Sequence, residues 1–170
     1  MCREPVRRHR EKSLIFRRSL EIERKIYKFN PSLTNNMDIR HRIVALIIRN
    51  NKLLLVKGKG YPELWTPGGK IEEGESEEET LRRELKEEIN LELQSMTFFR
   101  KYFMKNPYNK DSMTETKCFL VEVKGEPKAD KEIELIIWYG KENFLKEEYP
   151  MLEENEKGVI PDLIKEGLLK

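Results

Sequence analysis

Cysteine is nearly absent from this 170-residue chain: Cys2 and Cys118 are the only two, one of them at the terminus, so no disulfide framework is suggested. A reduced, cytoplasmic setting is the default expectation. Long apolar runs are missing too. Nothing approaches the roughly 20 residues that a helix needs to cross a bilayer, and the start lacks the apolar core of a secretory signal. Glu4, Glu11, Glu21 and Glu23 interrupt the Arg-rich beginning and argue against an acid-poor transit peptide. Histidine is scarce, and neither His9 nor His41 has a Cys or His partner at ligand spacing, so a zinc-type centre is not expected.

What the chain has in excess is charge. Lys, Arg, Asp and Glu make up 38% of it, unevenly spread: residues 1–42 hold 12 Lys or Arg against 5 Asp or Glu, leaving 21 against 26 for the rest. The net +2 therefore hides a basic leader on a mildly acidic body. In the leader, Arg3, Arg7, Arg8, Arg10, Lys12, Arg17 and Arg18 are interleaved with few aromatics, while Ile15, Ser19, Ile22, Ile26 and Phe29 follow a helical spacing. Such a segment can attract RNA or another polyanion. It can equally pack as an amphipathic helix on the body or on the second subunit of a homodimer, and we favour packing. Asn30 to Asn36 has loop chemistry and suits a linker, with Met37 as an alternative start. The expected organisation is a basic extension over 1–37 and one domain over 38–170.

Pro67 to Leu91 is the most informative stretch. Pro67-Gly68-Gly69 is a turn in which glycine lets the backbone bend tightly and approach a ligand closely. Ser76 is a good N-cap and Glu79, three residues on, completes a capping box, so a helix starts near Glu77. Leu81, Leu85 and Ile89 then form an i, i+4, i+8 apolar stripe. Glu84, Glu87 and Glu88 fall beside that stripe, clustering carboxylates on one edge. Asn90 tolerates the left-handed conformation that commonly ends a helix. Carboxylates gathered behind a glycine turn suit the holding of divalent cations against a phosphate chain. In so charged a chain they also suit a solvated helix face, where like-charge pairs cost only about 0.2–0.5 kcal/mol each.

The joint spacing of turn, Glu75, Arg83 and carboxylates resembles the Nudix box, G-x5-E-x7-R-E-U-x-E-E-x-G-U, where U is a bulky aliphatic residue. Gly69, Glu75, Arg83, Glu84, Leu85, Glu87, Glu88 and Leu91 occupy their places, and Asn90 replaces the last glycine, the next best residue for that backbone position. The resemblance runs from about Asp38 to Lys170. Arg42–Ile48 and Lys52–Lys57, joined at Asn50-Asn51, look like an opening hairpin. Leu64-Trp65-Thr66-Pro67-Gly68-Gly69 is similar to the entry to the box in MutT-like members. Ser95–Met104 and Glu115–Lys124 read as strands, Glu132–Trp138 as a late strand followed by a helix around Glu142–Phe144, and Val159–Leu169 as a C-terminal helix. The fold implied is an α/β/α sandwich around a mixed central sheet.

That resemblance implies hydrolysis of a pyrophosphate linkage with Mg2+ (Mn2+ as the alternative) held by Glu84, Glu87, Glu88 and the carbonyl of Gly69. Such chemistry is mainly cation placement and water activation, and magnesium suits carboxylate and water oxygens. Arg83 and Glu75 would pair and hold the carboxylates in register; ordinary helix salt bridges are their alternative. The general base is a box glutamate or one of Glu132 and Glu134, before the Trp138 strand. Candidate substrate contacts are Lys57, Lys59 and Lys70 as point charges, Gly68 in the turn, and Trp65 with Tyr61, which could stack on a base or simply belong to the core. Pro107 and Tyr108 lie 16 and 17 residues past Leu91, where the family carries hints of ADP-ribose and of dinucleoside polyphosphate hydrolases respectively, so the two cancel; a turn between strands is the plain alternative. The Pro-Gly-Gly-Lys-Ile-Glu wording leans towards a (modified) nucleoside triphosphate. A binding module that keeps the fold to sense a nucleotide or RNA is the competing class.

Overall fold

Two asparagines set the first turn. A computed structural model describes residues 38–106, 109–130 and 132–170, so the expectations for the leader, for Met37 as a start and for Pro107 and Tyr108 lie outside the described residues. Asn50 and Asn51 both adopt left-handed angles (φ 51° and 59°), as a two-residue hairpin turn demands. They join β2 (Ile48–Arg49) to β3 (Lys52–Gly58), with Ile48 opposite Leu53. The hairpin is shorter than expected. The preceding run instead forms β1 (Asp38–Leu46), which pairs antiparallel with β4 (Gly68–Lys70) and parallel with β6 (Asn109–Lys124). A break at Ile47 lets one apolar run serve two sheets, its carbonyl still accepting from the Leu54 N–H at 2.9 Å.

With β5 (Glu92–Asn106) and β7 (Ile133–Tyr139), the strands form a mixed four-stranded sheet ordered β4-β1-β6-β5 and an antiparallel three-stranded sheet ordered β2-β3-β7. The central layer is thus two sheets rather than one. Period-2 alternation sorts the core onto two faces. Ile43, Ala45, Ile47, Leu54 and Val56 point to one side, where helix α1 (Glu77–Ile89) covers them with Leu81, Leu85 and Ile89. Val44, Leu46, Leu53 and Leu55 point to the other, under Phe144 of α2 (Lys141–Leu145) and under Val159, Ile160 and Leu163 of a π-helical turn (Asn155–Val159) that runs into α3 (Ile160–Lys165). This is the expected α/β/α sandwich. The last helix ends at Lys165, short of Leu169, because Gly167 turns left-handed (φ 74°) and the Leu168 N–H folds back on the Leu163 carbonyl at 2.9 Å.

Helix α1 forms as its sequence dictates. The Ser76 hydroxyl accepts from the Glu79 N–H at 3.2 Å and the Glu79 carboxylate from the Ser76 N–H at 2.8 Å, satisfying two donors that the helix start would leave orphaned. Asn90 closes it at φ 55° and ψ 37°. Among the described residues no helix is long and apolar enough to cross a membrane.

Candidate active site

The turn before α1 is as tight as glycine allows. Gly68 sits at φ 133°, where a Cβ would fall 2.2 Å from the Ile43 carbonyl oxygen. A side chain there would push β4 off β1, which it meets with Gly68 opposite Val44 and Gly69 opposite Ile43. At Gly69 a Cβ would lie 2.0 Å from a carboxylate oxygen of Glu84. The acid of the helix is therefore seated directly against the bare backbone of the turn. Two further contacts fix the turn: the Gly68 N–H donates to Glu88 Oε2 at 2.9 Å, and Arg42 Nη2 donates to the Gly68 carbonyl at 3.2 Å.

Arg83 organises the charges beside it. Its Nε and Nη2 grip both oxygens of Glu75 at 2.7 and 2.9 Å, its Nη1 donates to Glu84 Oε1 at 2.7 Å, and Nη2 also reaches the Lys70 carbonyl at 3.3 Å. A planar guanidinium suits this forked geometry, which a lysine could not reproduce. Arg83's bond to Glu75 pulls that carboxyl down to about 2, helped by the Glu72 N–H and the Thr80 hydroxyl. Glu88 behaves oppositely. Burial pushes its carboxyl up to about 7 and Glu84 adds to the shift, against hydrogen bonds from the Gly68 N–H and the Trp65 side chain and the charge of Arg42. Glu87 stands at the edge, its side chain 55% exposed and 3.8 Å from Arg83.

Hard carboxylate oxygens gathered against a glycine backbone are a donor set suited to a divalent cation. The residues fit one: Glu84 lies in the cradle that a Gly69 side chain would fill, and Glu88 beside it is a largely buried carboxyl whose ionisation is made costly first by burial and then by the charge of Glu84, a cost that a cation would offset. Among the described residues no three Asp, Glu, His or Cys side chains close on a common point. An open set of this kind suits magnesium, which keeps several waters and shares its shell with substrate phosphates.

The other expected residues are distributed around this centre. Trp65 hydrogen-bonds Glu88 and meets Tyr61 edge-on at 5.8 Å. It also abuts Gly58, where a Cβ would come 2.7 Å from its ring and 3.4 Å from the Glu132 carbonyl. The segment before β7 runs along the end of α1, with the Asp130 N–H on the Glu88 carbonyl at 3.1 Å and the Lys59 N–H on the Glu132 carbonyl at 2.9 Å. The Glu132 backbone thereby lies beside Gly58 and Lys59. Glu134 is drawn instead to Lys57, 3.3 Å away across β3 and β7. Lys70 is exposed at the end of β4.

The NUDIX domain profile matches residues 39–163, the span that holds this site and both covering layers. The chain belongs to the Nudix family. As a Nudix hydrolase it carries every carboxylate of the box. An 8-oxo-dGTP diphosphatase of Buchnera aphidicola subsp. Schizaphis graminum is 41% identical over 69 residues, 37% of this chain and 53% of that protein. The matched part spans about half the length of that curated relative. Among solved structures, a MutT Nudix hydrolase from Burkholderia pseudomallei superposes with a TM-score of 0.62 at 21% identity, covering 74% of this chain and 97% of the other. A Nudix hydrolase from Nitrosomonas europaea gives 0.61 at 19%, covering 76% and 88%. At such identities the structural likeness speaks for the fold.

Spacing alone did not single out a second set of residues. Arg42, read above as leader charge and as the start of a strand but not as a site residue, bridges the Gly68 carbonyl at 3.2 Å and the buried Glu154 carboxylate at 3.1 Å. Next to Glu154, Asn155 is 0% exposed with both amide atoms unpaired, and Thr66 is equally buried with an unpaired hydroxyl. These groups border the seam where Leu64 exchanges backbone bonds with Pro150 and Leu152 at 2.8 and 3.0 Å. The pairing is long-range, so only the uncommon burial of polar groups reveals it.

Proposed function

We propose that this Nudix hydrolase cleaves a phosphoanhydride of a nucleoside triphosphate in a Mg2+-dependent reaction, with a modified nucleotide of the 8-oxo-dGTP type as the leading substrate. The observation that carries the reading is the seating of Glu84 and Glu88 against Gly68 and Gly69. Glu84, Glu87, Glu88 and the Gly69 carbonyl would hold the cation. When bound, it supplies charge neutralisation of the phosphate oxygens and a lowered pKa for water. The chain's own part is positional. Arg83 keeps Glu84 in place through its grip on Glu75, and the glycine turn leaves room for a phosphate chain beside the carboxylates.

In the reaction a water oxygen forms a bond to phosphorus, the bridging P–O bond breaks towards the leaving phosphate, and the water proton passes to a carboxylate. Glu132 and the box glutamates are the candidate acceptors. The 8-oxo-dGTP diphosphatase likeness supports the nucleotide class. The unpaired amide of Asn155 supports it too, because a buried carboxamide offers a donor and an acceptor side by side, the pattern that reads a purine edge.

The test is turnover of a panel of nucleoside triphosphates including 8-oxo-dGTP, with ADP-ribose, dinucleoside polyphosphates and 5′-triphosphorylated RNA alongside, in Mg2+ and then in EDTA. The expected result is release of a nucleotide product in Mg2+ alone, with a loss of about 100-fold or more in Glu88→Gln and Glu84→Gln. If none of the panel turns over while one member binds wild type and variants equally, the chain is a nucleotide-binding module instead.

A further inference from the structure

Gly68 is held at both of its ends. Its N–H donates to Glu88 Oε2 of α1 at 2.9 Å, and its carbonyl accepts from Arg42 Nη2 of β1 at 3.2 Å. Without a Cβ, and at φ 133°, the residue has little of its own to fix ψ, and β4 pairs with β1 for three residues only. That ψ orients the peptide running into Gly69, the backbone against which Glu84 is seated. Arg42 is in turn aimed by Glu154, at the head of the π-helical turn: its Nη1 donates to Glu154 Oε1 at 3.1 Å, and the two side chains are 12% and 6% exposed. A buried ion pair is a weak source of stability, because desolvation of the two charges offsets their attraction. Burial makes the Glu154 charge costly, and Arg42 is the chief offset. What the pair supplies is direction, since a planar guanidinium held at one nitrogen presents the next at a fixed angle.

We propose that Arg42 is a positioning residue for the glycine turn, holding the Gly68–Gly69 peptide in the orientation that seats Glu84, and that Glu154 fixes Arg42 in that role. The inference rests on the reading of the turn as the seat of a divalent cation. Arg83 restrains Glu84 through its carboxylate; Arg42 restrains the backbone facing it. Lysine is a poor substitute, because one ammonium nitrogen would have to stand within reach of two acceptors that arginine serves with separate nitrogens. The sign of the effect separates position from charge. Arg42 lies close enough to Glu88 to favour its ionised form, so removing the positive charge would by itself tighten the binding of a cation. Loss of the orientation weakens it.

The pair can be removed without orphaning a charge by combining Arg42→Met with Glu154→Leu, the kind of exchange that is often neutral or stabilising. Pro67-Gly68 and Gly68-Gly69 are the sole Pro-Gly and Gly-Gly steps in the sequence, so the full chain labelled with carbonyl carbon-13 proline and glycine and with nitrogen-15 glycine reports the turn at two assigned amides. Mg2+ alone is the probe. The expected result is a saturable shift of the Gly69 amide in the wild type, with Kd raised about tenfold or more in the double variant while urea denaturation shows its stability equal to or above that of the wild type. Glu154→Gln, which leaves Arg42 an acceptor, should fall between the two. Should the double variant fail to fold, Arg42→Lys, which keeps a cation beside Glu154, carries the test with the same expected rise in Kd. The proposal is overturned if the folded variant binds Mg2+ with the wild-type Kd or more tightly. A wild-type Gly69 amide that Mg2+ leaves in place overturns the cation-seat reading itself, and the proposal with it.

Discussion

Gly69 has no backbone strain to excuse it, only Glu84, and the two make a sharp test at the scale of single residues. A methyl group 2.0 Å from the carboxylate oxygen cannot be absorbed without swinging Glu84 away from the turn. Gly69→Ala should lower kcat by about 100-fold while a thermal melt shows the fold retained; unchanged kcat would mean that the seating of Glu84 is irrelevant to catalysis. Glu75 gives a pH test. Its carboxyl is held near 2 against an ordinary value of 4.5 by the Arg83 bond. A depressed carboxyl contributes stability above its unfolded-state pKa and loses it as pH falls through the folded one. Acid unfolding of the wild type should therefore steepen between about pH 4.5 and 2 relative to Glu75→Gln. Parallel limbs in the two proteins would show that the pair contributes nothing.

Among the elements, α1 is the one most completely legible in the sequence, because its signals are local. Cap, apolar stripe and left-handed terminus each depend on residues within a turn or two. Asn90 at φ 55° is where the chain departs from the family's glycine, and it yields a graded prediction. Asn90→Ala should destabilise by about 1 kcal/mol and Asn90→Gly should be neutral or stabilising, read by urea denaturation; equal stability of the two variants would mean that the conformation is not selective. The β1 strand was less legible. Its apolar residues read as half of a hairpin, but β6, some 70 residues on, competes for the same edge and wins everything before Ile47. Arg42, Glu154 and Asn155 were illegible for the same reason. No spacing announces a contact between a strand and a helix 112 residues away, and the π-helical turn at Asn155–Val159 carries no simple sequence period. Gly158 gives part of its logic after the fact: a Cβ there would strike the Tyr102 ring at 2.7 Å.

At the scale of the molecule, the glycine turn lies where the two covering layers are joined through the sheet: Glu88 reaches Gly68 from α1, and Arg42 reaches the same residue while pairing with Glu154 ahead of α3. A ligand gripping the turn therefore ties both layers to the sheet, and its binding should register in global stability. Binding to the folded state alone stabilises by RT ln(1 + [L]/Kd), about 2.7 kcal/mol at a hundredfold excess over Kd. For a chain of this size each kcal/mol is worth roughly 2–4 °C, so Mg2+ with a non-hydrolysable nucleoside triphosphate analogue should raise Tm by about 5–10 °C. EDTA should abolish most of that rise, because the triphosphate alone would meet Glu84 and Glu88 as like charges. In Glu88→Gln the metal-dependent part should shrink, while any metal-independent part persists. Should the analogue raise Tm equally with and without EDTA, the carboxylates do not hold a cation against the phosphates, and the glycine turn with its helix binds nucleotide by some other means.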